Sequence, residues 1–130
     1  MIDSNLADLC PEIRYLAQSF VARCNASGLT CKITITWRDP EDQNAAKATG
    51  LSNACSGQSP HNSVNAAGQP ASQAFDFALF NPDYITNGAD PAYAKAGAIA
   101  ESLGLTWGGR WHHPDFDHCE LVNWKYIQPT

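Results

Sequence analysis

Ala74-Phe75-Asp76-Phe77-Ala78-Leu79 alternates along the chain, and its reading decides the fold. Successive side chains of a strand face opposite ways, so Phe75, Phe77 and Leu79 share one face and Asp76 takes the other. Lys32-Ile33-Thr34-Ile35-Thr36-Trp37 alternates too, grouping Ile33, Ile35 and Trp37 on one face of a half-buried strand. The tail from Asp117 to Tyr126 has strand character, with His118, Glu120 and Val122 on one face. Helical signals lie between these runs. From Pro11 to Cys24 the residues Ile13, Leu16, Ala17, Phe20, Val21 and Cys24 recur at steps of three and four, the stripe of an amphipathic helix. Pro11 suits its first turn and Gly28 lies just past its end. Asp39-Pro40-Glu41-Asp42 announces a second helix, running to about Thr49 and stopping at Gly50. Asp90-Pro91 repeats that signal for a helix ending near Gly104, whereas Ser52 to Gln73 reads as loop. The predicted fold is α+β, a small antiparallel sheet with helices packed on one side.

The chain has 130 residues, enough for one hydrophobic core, and a monomer is expected. With 8 basic and 13 acidic side chains and a net charge of −5, it lacks the basic footprint that nucleic acid or an anionic membrane surface requires. No run reaches the ~18–20 apolar residues of a membrane span. Met1 to Asp8 carries two acids and no base, unlike a secretory signal, so synthesis in the cytoplasm is expected. The cysteines, Cys10, Cys24, Cys31, Cys55 and Cys119, are odd in number and form no CxxC pair. They read as reduced, mostly buried thiols.

Two clusters carry residues fit for chemistry. One is Ser59-Pro60-His61 together with Asp76; the other runs from Trp107 to Glu120 and holds His112, His113, Asp115, Asp117 and His118. Asp76 is a poor strand former between two aromatics, so it is either solvated on the open face or the ligand of a cation. Two His and one Asp would give a divalent metal three protein ligands and leave a position open, the layout of catalytic zinc. HExxH, GxSxG and the phosphate-binding GxxxxGK[ST] loop are all absent. Cys119 adjoins His118 but points to the other strand face, which disfavours a Cys–His nucleophile pair.

Taken in order, Ile35-Thr36-Trp37-Arg38, Glu41-Asp42-Gln43, Ser59-Pro60-His61, Ala74-Phe75-Asp76, Trp107-Gly108-Gly109-Arg110-Trp111 and Asp115-Phe116-Asp117-His118-Cys119-Glu120 resemble the VanY-like D-alanyl-D-alanine carboxypeptidases and L-alanyl-D-glutamate endopeptidases. These are zinc peptidases of bacterial peptidoglycan, on a scaffold shared with hedgehog signalling domains, and the likeness is greatest to short phage endolysins without a wall-binding domain. It spans roughly Pro11 to Tyr126. The step from His61 to Asp76 is 15 residues, against a commoner family spacing of about seven, and the polar insertion Asn62 to Ser72 suits a longer loop. Asp117 and Cys119 stand where the family often has Pro and Phe.

The resemblance implies one zinc per chain held by His61, Asp76 and His118, with Asp115 as general base. It implies that Arg38 binds a substrate carboxylate or the oxyanion, with peptidoglycan stem peptides as substrate and action at the cell wall after release through the inner membrane. Trp107 and Trp111 either wall the cleft, Trp111 as a substrate contact, or pack as ordinary aromatics. Arg38 has the alternative of an exposed ion pair. Glu120 is either a rival base or a carboxylate that orients an imidazole. His112 and His113 are expected at the surface. A non-catalytic zinc module, a cellular muropeptide carboxypeptidase and a metal-free interaction domain are the competing functions.

Overall fold

Helix α1 (Pro11–Ala26) starts where its proline permits, since the first helical N–H has no intrahelical partner to lose. It ends at Ser27-Gly28, where Gly28 takes φ +88° and the Leu29 amide donates back to the Cys24 carbonyl at 3.0 Å. Its buried stripe is Ile13, Ala17, Phe20 and Cys24, as the spacing predicts. The computed structural model describes residues 4–39, 41, 48, 59–81, 84–85, 88 and 90–130. Apart from Glu41 and Ala48, the helix predicted from Pro40 to Thr49 lies outside the described residues, as does Cys55.

Strands β1 (Thr30–Ile35), β2 (Ala74–Asn81), β3 (Tyr84–Ile85), β4 (Leu105–Trp107) and β5 (His118–Leu121) form one antiparallel sheet. Its order is β1-β2-β5-β4, with β3 paired to the far end of β2. Helix α2 (Pro91–Ser102) precedes β4, and its N-terminus is capped by the Asp90 carboxylate, which accepts from the Ala92 amide at 2.9 Å. Phe75, Phe77 and Leu79 face the helices. The Phe20 ring of α1 lies 5.4 Å from that of Phe75 and 4.8 Å from that of Phe77, and Tyr93 of α2 stacks on Phe77 at 5.6 Å. Cys10, Cys24, Cys31 and Cys119 are free thiols buried in or beside this core. No helix among the described residues is long and apolar enough to cross a membrane.

Two sequence expectations are corrected, and one strand is added. The first strand is Thr30–Ile35, two residues earlier than its alternation suggests, because a bulge between Ile33 and Ile35 breaks the register before Trp37. The tail strand stops at Leu121, since Asn123 adopts the left-handed conformation at φ +60° and turns the chain away, leaving Val122 exposed. Strand β4 escapes a reading by alternation because three residues hold too little pattern.

Trp107 fixes where β4 meets α2. It is 5% exposed and packs in the core, so it is not a wall of an open cleft. A Cβ built on Gly97 of α2 would lie 2.2 Å from Cδ2 of its indole ring. We expect Gly97→Ala to cost about 1–3 kcal/mol, the usual penalty of overpacking, as a lowered denaturant midpoint with an unchanged slope.

Candidate metal centre

The sheet face opposite the helices carries the polar residues. Asp76 of β2 pairs in register with His118 of β5, so the two side chains stand together on that face. His61 arrives from a 3-10 turn, Pro60–Asn62, whose entry is capped by the Ser59 hydroxyl accepting from the His61 amide at 3.2 Å. Its ring is aimed by one bond. Nδ1 lies 2.9 Å from the Thr36 carbonyl, which can only accept, so Nδ1 donates there and the ring turns Nε2 toward the carboxylate. That Nε2 is 3.1 Å from Oδ1 of Asp76.

His118 is held in the complementary way. Its Nε2 is 2.8 Å from Oε1 of Glu120, and its Nδ1 is 3.1 Å from the same Asp76 Oδ1. One nitrogen of each imidazole therefore points at the carboxylate, and the other is tied elsewhere. His61, Asp76 and His118 are all buried, and one donor atom from each lies within 4.8 Å of the other two. Two imidazole nitrogens, each ring steered by a further hydrogen bond, and a carboxylate oxygen suit a divalent metal such as zinc. Among the described residues this is the cluster of three or more His, Cys, Asp or Glu able to hold a metal ion.

The two carboxylates beside His118 occupy different places. Glu120 sits behind the ring on Nε2, its side chain 13% exposed. Asp115 reaches the front, with Oδ2 4.0 Å from Nδ1 and its side chain 46% exposed. Asp117 is a participant that residue types alone do not reveal. Burial and a hydrogen bond with Asp115 push its carboxyl up to about 8.

Arg38 is 7% exposed, which excludes an exposed ion pair. Its backbone is tied to the His61 turn: its amide donates to the His61 carbonyl at 3.0 Å, and its carbonyl accepts from Asn62 Nδ2 at 2.7 Å. Trp111 lies on the open side, 39% exposed, with its ring 5.2 Å from that of His118. His112 and His113 are exposed, as expected. The Glu41-Asp42-Gln43 motif lies outside the described residues except for Glu41.

Burial alone would raise the Asp76 carboxyl, but the two imidazoles hold it well below the usual carboxylate range. Burial alone would lower His118, yet its bonds to Asp76 and Glu120 push it up to about 10. For the metal-free protein the consequence has a definite sign. His118 is raised from 6.5, so its stabilisation is complete below that value and is lost as pH rises to about 10. Asp117 is raised from 3.8 and acts in the same direction between there and about 8. Thermal melts of chelated protein should therefore show a midpoint that falls steadily from pH 5 to pH 9. A midpoint that rises over that interval would contradict these assignments.

The sequence from 52 to 121 matches a family model described as D-alanyl-D-alanine carboxypeptidase. The fold is similar to the crystal structure of the Serratia marcescens L-Ala D-Glu endopeptidase ChiX, at a TM-score of 0.66 and 18% identity, covering 94% of this chain and 86% of that one. No curated protein matches the sequence. The matched segment contains His61, Asp76, Asp115 and His118, while Arg38 precedes it. The chain belongs to the D-alanyl-D-alanine carboxypeptidase family, whose members are peptidases of peptidoglycan.

Proposed function

We propose that this chain is a zinc-dependent endolysin-type peptidase that hydrolyses an amide bond in peptidoglycan stem peptides, with zinc held by His61, Asp76 and His118. The observation that carries the reading is the convergence of His61 Nε2 and His118 Nδ1 on Asp76 Oδ1, each ring being fixed from behind. Bound zinc would lower the pKa of water to about 7 and polarise the scissile carbonyl.

The chain's own groups do the remaining work. Asp115 is the general base: it stands on the open side of His118, where its half-exposed carboxylate can take a proton from water and return one to the leaving amine. Asp117 braces that carboxylate through the hydrogen bond between them. Glu120 holds the His118 ring by Nε2, and the Thr36 carbonyl does the same for His61 by Nδ1. Arg38, carried on the segment bonded to the His61 turn, supplies a permanent planar cation matched to a stem-peptide carboxylate or to the oxyanion. Trp111 offers an apolar wall beside His118.

Purified protein should contain about one zinc per chain, and chelation should abolish release of peptides from sacculi. The masses of those peptides identify the amide that is cut, and a preference for soluble muropeptides over sacculi would favour a cellular carboxypeptidase. Activity surviving in metal-free protein would falsify the proposal.

The two carboxylates give a second, separate test. Asp115→Asn should keep zinc and lose roughly 10²–10⁴ in kcat, the usual worth of a general base. Glu120→Gln should lose about 10–100-fold, acting through weaker zinc binding. Zinc content and kcat measured together decide between the two roles, and a dead, zinc-replete Glu120→Gln beside an active Asp115→Asn reverses them.

A further inference from the structure

We propose that Trp107 is a positioning residue for Asp115, its indole N–H fixing the segment that carries the base. Asp115 lies on the stretch between the Gly108–Arg110 turn and β5, which has no ladder of its own. Trp107 supplies an anchor from the core: Nε1 donates to the Phe116 carbonyl at 2.8 Å, next to Asp115. The anchor is itself confined. A Cβ on Gly97 would lie 2.2–2.4 Å from ring atoms Cδ2, Cε2 and Cε3, and one on Gly109 would lie 2.1–2.4 Å from Cζ2, Cε2 and Cη2. Two glycines on separate elements thus admit the indole in one place and leave it little freedom.

The remaining ties of the segment converge on the residue after Trp107. The Gly108 carbonyl accepts from the amides of both Trp111, at 3.2 Å, and Asp115, at 2.9 Å. A Cβ on Gly108 would stand 2.6 Å from the Asp115 carbonyl oxygen, so the approach needs glycine there. The His118 amide then donates to that Asp115 carbonyl at 3.3 Å, and Phe77 donates to the Asp117 carbonyl at 2.9 Å. Trp107-Gly108-Gly109 is accordingly one device. The tryptophan holds the peptide after Asp115, the first glycine lets that segment close in, and the second makes room for the ring. Removing the indole N–H leaves the backbone of β5 and the ligand residues in place, but frees the Phe116 carbonyl and with it the direction of the Asp115 side chain. Small displacements of this kind are costly, because proton transfer requires contact within about 2.6–3.2 Å.

The proposal rests on Asp115 as the base, and the experiment separates the two. Trp107→Phe, and β-(3-benzothienyl)alanine at 107, which keeps two fused rings without the N–H, are each made alone and with Asp115→Asn. Zinc content and kcat are measured for every protein, and amide hydrogen exchange is followed on chelated samples. The expected result is a tenfold or greater loss of kcat with zinc retained, and no further loss when Asp115 is already Asn. Exchange should quicken at the Asp115 and His118 amides and stay unchanged at Leu121. The same fold-loss in both backgrounds, or unchanged exchange at Asp115, overturns the positioning role while leaving the base assignment intact. An active Asp115→Asn protein overturns the base assignment, and the positioning proposal falls with it.

Discussion

A buried carboxylate between two imidazoles sets the terms for the rest of this structure. Asp76 gives up its water for a place on the central strand, and an isolated charge there would cost several kcal/mol. Imidazoles 3.1 Å away on two sides offset that cost, and a divalent cation in the same place would do so more fully. The requirement propagates outward. His118 must lie opposite Asp76, which fixes the β2–β5 register; shifting either strand by one residue would turn the pair to different faces. Because that face is given to polar groups, α1 and α2 pack on the other, against Phe75 and Phe77.

The same alternation that separates core from site made most of this legible in the sequence. Asp76 between Phe75 and Phe77 announces one greasy face and one chemical face, and the helical stripe from Ile13 to Cys24 is the matching cover. What alternation cannot convey is a displacement out of regular structure. The bulge between Ile33 and Ile35 changes the register of β1, so Trp37 leaves the strand and the Thr36 carbonyl becomes available to His61 Nδ1. No residue type signals that bond, because its acceptor is backbone. The partnership of Asp117 with Asp115 was equally hidden, since it depends on how the stretch before β5 folds back on itself.

Trp107 was ambiguous for a different reason. An indole buries a large apolar area and carries one donor, so composition serves a cleft wall and a core residue equally. The two glycines that decide for the core lie at positions 97 and 109, on different elements, and only the folded chain brings both to one ring.

The long step between His61 and Asp76 shows why loop length is a weak argument against a shared site. Closing a loop of 15 residues in place of about seven costs only about 0.6 kcal/mol, since the entropy rises with the logarithm of length. That cost is met by bonds at the loop's root. The Ala71 amide donates to the Ser63 carbonyl at 2.9 Å, and the Gln73 amide donates to that of Pro60 at 2.9 Å. The Ser63 hydroxyl donates to Gln73 Oε1 at 2.7 Å, while Gln73 Nε2 reaches the carbonyls of Trp124 and Ile127. From the other side Ser72 bonds the chain ahead of α1, its carbonyl accepting from Cys10 and its amide donating to Asp8. Gln73 is 2% exposed and Ser72 fully buried, so the two residues that lead into β2 are fixed whatever the loop between does. The distance between His61 and Asp76 is therefore governed by residues 60, 63 and 71–73, and residues can be inserted at 65–69 without passing through the site.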